Sequence, residues 1–158
     1  MKILIREVQA SDYNKLKEFF KRNNTCETIR HFHPFPLAAE TAWQIACMPK
    51  KDRYDIALLE GKIVGMCMLR GWDEGFSVPS FGILVDRRFR GKGIGRLLTE
   101  HAIGEAKKLG CHQIRLSVYA SNVRAYHLYT SLGFREVKRE VVERMGEKDI
   151  KLIMIKEL

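Results

Sequence analysis

The residues best equipped for chemistry are crowded into one stretch, Arg87-Arg88-Phe89-Arg90-Gly91-Lys92-Gly93-Ile94-Gly95-Arg96, where five cations are interleaved with three glycines. An apolar run, Phe81 to Val85, precedes it, and apolar residues at helical spacing follow: Leu97, Leu98, Ala102, Ala106 and Leu109. A strand that turns through glycines into a helix aims several backbone N–H groups at one spot, and such a spot binds phosphate. A Cβ would obstruct both the unusual backbone angles and the approach of a ligand, while Arg90, Lys92 and Arg96 supply countercharge. A tight strand-to-helix turn without a ligand would use the same glycines. The loop lacks the pattern G-x-x-x-x-G-K-[ST] and has no ribose-binding acid placed as in a dinucleotide fold, so ATP and NAD fit it poorly.

The elements that position this loop follow from periodicity. Ile3, Leu4, Ile5 and Val8 read as a first strand, and Ser11-Asp12 offers an N-cap for a helix from Tyr13 to about Arg22. From Asn23 to Leu37 the pattern is irregular, and Pro34 and Pro36 make His31 to Pro36 a loop; a short helix is expected from about Ala38 to Cys47. Tyr54 to Leu59 and Lys62 to Leu69 form a hairpin across Glu60-Gly61. The strand Phe81 to Val85, the helix Ile94 to Leu109 closed by Gly110, and the strand Gln113 to Tyr119 make a βαβ unit with parallel strands. A helix from Asn122 to Leu132 ends at Gly133, and Phe134 to Arg144 with Ile150 to Leu158 form a last antiparallel hairpin around Gly146. The fold class is therefore α/β (α+β), a mixed sheet with helices packed on it.

At 158 residues, with 46 % hydrophobic and 30 % charged residues, the chain has the size and composition of one globular domain, 1–158. No apolar run is long enough to span a membrane and no signal-type block opens the chain, so the expected location is cytoplasmic. Cys26, Cys47, Cys67 and Cys111 are scattered, which suggests reduced and mostly buried thiols rather than a disulfide framework or a nucleophile. His31 and His33 with Cys26 fit no familiar zinc spacing, and no metal is expected. The net charge of +9 attracts anions generally, but its one dense cluster favours a compact phosphate ligand over a long nucleic-acid stripe.

Val85 through Gly95, Val-Asp-Arg-Arg-Phe-Arg-Gly-Lys-Gly-Ile-Gly, resembles the GNAT signature V-x-x-x-x-R-G-x-G-I-G. Asn122 to Tyr129 with Leu132-Gly133-Phe134 resembles the second motif of that superfamily, N-x-x-A-x-x-L-Y-x-x-x-G-F. Two motifs in family order, in a β-α-β-α-β succession, identify the chain as similar to acetyl-CoA-dependent N-acetyltransferases over nearly its whole length, most weakly from Asn23 to Lys51. The resemblance implies a sheet of about six to seven strands with about four helices, splayed between the strands that end near Val85 and Tyr119. Pantetheine would lie in the gap on backbone groups of Leu84 and Val85, the diphosphate on Arg90, Gly91, Lys92, Gly93, Ile94, Gly95 and Arg96, and Asn122 would contact the cofactor from the far side. Acetyl-CoA would be the donor, a small-molecule amine the acceptor, and a homodimer through the last hairpin is possible.

A lone helical tyrosine is normally a core residue, but the resemblance makes Tyr129 the acid that protonates the departing thiolate. Some peptide-modifying relatives carry a glutamate where this chain has Ser117 or Ser80-Phe81-Gly82. The remaining base candidates are Asp73, Glu74 and His33, each of which could equally be a turn or loop residue. An acceptor whose amine is less basic than that of lysine, such as an amino sugar or amino-sugar nucleotide, would need little help. Residues 69–83 also resemble members encoded among bacterial surface-polysaccharide enzymes, with Trp72 or Phe35 as a stacking wall and Asp73 or Glu74 for hydroxyls. A protein or peptide amine acetyltransferase, or a non-catalytic acyl-CoA-sensing or nucleic-acid-binding module, are the alternatives.

Overall fold

A computed structural model describes residues 1–32 and 34–158. Among these residues seven strands form one sheet: β1 (Leu4–Glu7), β2 (Arg53–Leu59), β3 (Lys62–Arg70), β4 (Ser80–Val85), β5 (Gln113–Tyr119), β6 (Arg135–Arg144) and β7 (Glu147–Glu157). Five α-helices join them: α1 (Tyr13–Asn23), α2 (Cys26–His31), α3 (Ala39–Cys47), α4 (Ile94–Lys108) and α5 (Val123–Ser131). The strand order is β1-β2-β3-β4-β5-β7-β6, antiparallel throughout except between β4 and β5. This is the expected mixed α/β sheet, with one helix more than foreseen.

The additional helix is α2. The prolines of this region argue against a helix only where they stand, and both lie beyond its end. Thr25 supplies the start: its Oγ1 accepts the Thr28 N–H at 3.2 Å, with Glu27 in the first turn and Arg30 and His31 in the last. His31 therefore belongs to a helix rather than to a loop. The final hairpin is also tighter than the hydrophobic pattern suggests, because β7 begins at Glu147. Its turn, Met145-Gly146, has φ of 54° and 79°, the left-handed pair that suits a two-residue hairpin.

The alternation of strand side chains builds two cores, one on each face. Leu16, Phe19 and Phe20 of α1 and Ala42 and Ile45 of α3 cover Ile56, Met66, Met68 and Leu84. On the other face Leu98, Ala102 and Ala106 of α4 cover Cys67, Leu69, Ile114 and Leu116, with Tyr129 and Phe134 in the same cluster. Each large side chain so buried stabilises the fold by roughly 1.5–3 kcal/mol. The approach of α4 is close enough to require Gly65, where a Cβ would stand 2.9 Å from Leu98 Cδ1. The thiols depart from expectation. Cys67 is buried and Cys111 partly so, whereas Cys26 opens α2 and Cys47 closes α3, both exposed.

The glycine-rich loop is moored to α1 before it reaches α4. Asp86, fully buried, accepts the Arg88 N–H at 2.9 Å and pairs with the guanidiniums of Arg22 at 3.1 Å and Arg88 at 3.3 Å. Asn23, also buried, accepts the Arg87 N–H at 2.9 Å. Burial pushes the Asp86 carboxyl up, but the Arg88 amide and the Arg88 and Arg22 guanidiniums outweigh it and hold the group below its ordinary value. Asp86→Ala is expected to cost about 2–3 kcal/mol in urea unfolding at pH 7, because it strands Arg22 and frees the loop. A depressed carboxyl contributes fully above the unfolded value of about 3.9, and the contribution fades as pH falls through the folded value, so the two unfolding curves converge below about pH 4.

Candidate functional site

The sheet splits at its parallel pair. Ser80 and Arg115 form the paired position of β4 and β5, and the Arg115 N–H donates to the Pro79 carbonyl at 3.0 Å. Towards Val85 and Tyr119 the strands part, and a cleft of about 1180 Å³ opens between them. Leu84, Val85 and Asn122 line it, together with Arg90, Gly91, Gly93, Ile94, Gly95 and Arg96.

At the wide end stands the start of α4. Its N-cap, Gly93, is left-handed with φ of 83°, and no side chain caps the helix. The N–H groups of the first turn thus lack intrahelical partners and meet the cleft without a competing oxygen. Gly91, with φ of 74°, turns the chain into this position. An uncapped helix start with a positive dipole end and nearby guanidiniums fits the doubly charged phosphate of an extended ligand.

The cations of the loop divide their tasks. Arg90 lies on the cleft but is held by Glu27 Oε1 at 2.5 Å and Thr28 Oγ1 at 3.1 Å, both on α2. Arg96 reaches Ser131 Oγ at 2.8 Å and Glu100 at 3.4 Å, tying α4 to α5. Lys92 is not part of the lining; its Nζ sits 5.8 Å over the Phe89 ring. A cation missed in the sequence takes that place. Arg124, exposed in the first turn of α5, brings Nη1 to 3.9 Å from where a Cβ of Gly91 would stand. Only the parallel crossover brings these two motifs together, so residue spacing alone carries no sign of it.

Tyr129 lines the cleft from α5 and is only 7 % exposed. Its ring packs edge-on against Phe81 at 6.0 Å and Phe134 at 5.8 Å, and burial raises the phenol further above its ordinary value near 10. It therefore holds its proton at any working pH. Asn122 caps α5 through Oδ1, which accepts the Ala125 N–H at 3.4 Å.

The base candidates separate. Asp73 accepts the N–H groups of Lys51 at 2.8 Å and Asp52 at 3.0 Å, which lowers its carboxyl and fastens the turn to the start of β2; it is not among the lining residues. Glu74 is exposed on the rim of the cleft. His33 falls outside the described residues. His31, passed over in the sequence except for metal, lines the cleft, and its Nδ1 is buried without a partner among the described residues. Burial, then the charges of Arg144 and Arg30, lower its imidazole, with Arg90 acting the same way and Asp149 opposing. Ser80, Gly82 and Ser117, none of them a carboxylate, also line the cleft. Neither ring expected as a stacking wall lines the cleft. Phe35 packs among Phe20, Phe32 and Tyr54 under the Arg70 guanidinium, and Trp72 packs against the α4-side core. The aromatic at the rim is Phe76, 61 % exposed.

One side of the cleft is covered by α2. Glu27 and Thr28 hold it to Arg90 at the loop, while Arg30 pairs with Glu147 at 2.9 Å and its carbonyl accepts from Arg144 at the tip of the last hairpin. Among the described residues no group of three or more His, Cys, Asp and Glu is placed to hold a metal ion, and no helix is long and apolar enough to cross a membrane.

An open sheet parted at its parallel pair, with a glycine-led helix start at the mouth, leaves room for a long anionic ligand between strands. The family model for the acetyltransferase (GNAT) family matches residues 14–134, and the chain belongs to that family. It is 37 % identical over 89 residues to N-acetylaspartate synthetase of Rattus norvegicus, covering 56 % of this chain and 30 % of that protein. It is 48 % identical over 56 residues to the [ribosomal protein bS18]-alanine N-acetyltransferase of Escherichia coli K12, covering 35 % and 38 %. The chain thus spans about a third of the length of these curated relatives. The Salmonella typhimurium protein yncA, solved with its cofactor acetyl-CoA, shares the fold at a TM-score of 0.80 and 20 % identity, covering 99 % of this chain and 94 % of that one.

Arg124→Ala is expected to weaken coenzyme A binding about fivefold at low salt, the loss of one exposed charge contact of about 1 kcal/mol. Calorimetry checks it, and the difference should shrink as salt is raised.

Proposed function

We propose that this chain transfers the acetyl group of acetyl-CoA to a primary amine by direct attack within a ternary complex. The observation that carries this reading is the parting of β4 and β5, which leads from the uncapped start of α4 to the buried hydroxyl-bearing ring of Tyr129 in one continuous cleft. The donor supplies an activated thioester carbonyl. In this reading backbone groups of Leu84 and Val85 align it, residues 90, 91 and 93 to 96 with Arg124 take the diphosphate, and Asn122 bounds the pantetheine side.

Two protons must be managed as the C–N bond forms and the C–S bond breaks. The amine gives up one, and His31 is the group we assign to receive it, because its lowered imidazole is neutral near pH 7 and it stands on the cleft. The leaving sulfur takes the other from Tyr129 Oη, and the phenolate is reprotonated from solvent as His31 gives the amine's proton up to solvent, so that the net products are the amide and the free thiol. Both sulfur and phenol sit in a poorly solvated place that disfavours either anion, so a proton supplied as charge develops is worth about 10²–10⁴-fold. Glu74, on the rim, is placed to attract an ammonium rather than to take its proton at the reacting centre.

The acceptor in this reading is a small molecule, an amino sugar or amino-sugar nucleotide among the candidates, since Ser80 and Ser117 leave room on the floor of the cleft where a carboxylate would favour a basic amine. A peptide amine is the second reading, favoured by the 48 % identity with the ribosomal-protein enzyme. Two exposed thiols suit a reducing cytoplasm. The outer strand β6, with Val137 and Val141 exposed, is the edge on which a homodimer would form.

Release of coenzyme A from acetyl-CoA across a panel of amines tests the proposal. Tyr129→Phe should lower kcat by about 10²-fold or more while the affinity for acetyl-CoA stays as it is. In the unmutated chain kcat/KM should fall with acid through a value below the ordinary imidazole value of about 6.5, because the base is active only when neutral. His31→Gln should abolish that limb and lower the plateau; an unchanged limb would remove His31 from the proton path.

A further inference from the structure

The floor of the cleft carries a row of side chains that the cofactor end does not use. In the register of the sheet, Arg70 of β3 stands opposite Ser80 of β4, and Ser80 is paired with Arg115 of β5. Paired residues share a face, so Arg70, Ser80 and Arg115 project from the same side of three neighbouring strands, with Ser117 two residues further along on that face. It is the face that α1 and α3 cover over β2 and β3 but leave bare over β5, where Arg115 and Ser117 are exposed.

This row is too far from the helix start to serve a diphosphate there. From Ser80 to Val85 the strand rises about 16 Å before the glycine loop begins. That end of the cleft has its own cations in Arg90, Arg96 and Arg124. Arg115 has no ion-pair partner among the described residues. Arg70 is fixed by its Nη1 bond to the Pro34 carbonyl at 2.7 Å and by the Phe35 ring at 5.3 Å, and its Nε is buried with no partner among the described residues. A fixed guanidinium on β3 and one on β5 without an ion-pair partner among the described residues, with a serine on the strand between them, line one cleft and suit an oxyanion. The carboxylates of the lining do not cancel it: Glu27 is taken by Arg90, and Glu74 lies on the rim. Lys151, opposite Tyr119 on β7, extends the positive side of the cleft, and its other neighbour, Glu140, is engaged by Lys138 at 3.0 Å.

We propose that the acceptor is a small amine bearing an anionic oxygen group, carboxylate or phosphate, which the Arg70–Ser80–Arg115 row binds so that the amine lies towards Tyr129. The inference rests on the transferase reading above. It sets a requirement on the acceptor that a neutral amino sugar or an uncharged peptide amino end does not meet.

The test pairs each anionic amine with its uncharged twin: aspartate with its diamide, and glucosamine 6-phosphate with glucosamine. Coenzyme A release is measured with acetyl-CoA, and calorimetry is run on the full chain saturated with coenzyme A. The anionic member of at least one pair should be favoured tenfold or more in kcat/KM or in affinity, and the preference should weaken as salt is raised. The pair that responds distinguishes carboxylate from phosphate. Arg115→Gln, an exposed position at which folding is not at stake, should lower the ratio of anionic to uncharged kcat/KM at least tenfold, and Arg115→Glu should invert it. Equal use or binding of the twins, or a ratio that ignores both substitutions, overturns the inference while leaving the transferase reading intact. Absence of coenzyme A release with every amine, although acetyl-CoA binds, overturns the transferase reading, and the calorimetric preference then decides the anion site by itself.

Discussion

The molecule depends on a single unpaired stretch of sheet. β4 and β5 meet at Ser80 and Arg115 and then separate, which forgoes several ladder hydrogen bonds in the middle of the fold. Such an arrangement holds only if both strands are secured from their other sides. β4 is: it pairs with β3 along its whole length, and Leu84 and Phe81 are anchored in opposite cores. β5 is secured by seven paired positions with β7. The two half-sheets are then joined across the gap by α4 and α5 on one face, which leaves polar backbone groups of the interior open to a ligand. A long, polar, amide-bearing arm is the natural filler of a gap in a sheet, because it can restore the bonds that the missing strand would have made.

The loop that follows β4 solves the electrostatic half of the problem. A buried carboxylate, Asp86, would be costly alone; between Arg22, Arg88 and a backbone N–H it becomes the mooring that fixes where α4 begins. The loop is held by the buried Asp86 and Asn23, with Arg22 and Arg88 as partners, and its cations Arg90 and Arg96 are engaged by neighbouring side chains with which a ligand would compete. Arg90 is the instructive case. Its bonds to Glu27 and Thr28 fix α2 over the cleft, so a ligand that claimed this guanidinium would also loosen that cover.

The order of strands and helices and the start of α4 were legible in the sequence, because apolar periodicity and glycine positions report directly on backbone conformation. The two GNAT-like motifs supplied the splay, which periodicity cannot reveal. What escaped was set by tertiary contacts. α2 spans six residues, too few for a periodic signal, and its evidence was a single capping threonine beside two prolines. His31 became interesting only when Arg30, Arg144 and burial surrounded it, and Arg124 only when α5 folded beside Gly91. Asp73 illustrates the converse: an acid in a turn looked available for chemistry, but two backbone amides of a distant segment had claimed it. The charged row on the bare face of β3, β4 and β5 could not be read before the register was known, since one residue of slippage would turn Arg115 into the opposite core.

The central claim is that the uncapped amides opening α4 and the free edge of β4 together hold coenzyme A. An amide NMR titration of the isotope-labelled chain with coenzyme A tests both parts at once. The account predicts that the largest shifts fall on Gly91 to Arg96 and on Ile83 to Val85, with slowed hydrogen exchange at both. Saturable binding that left these two groups of amides unmoved would contradict it.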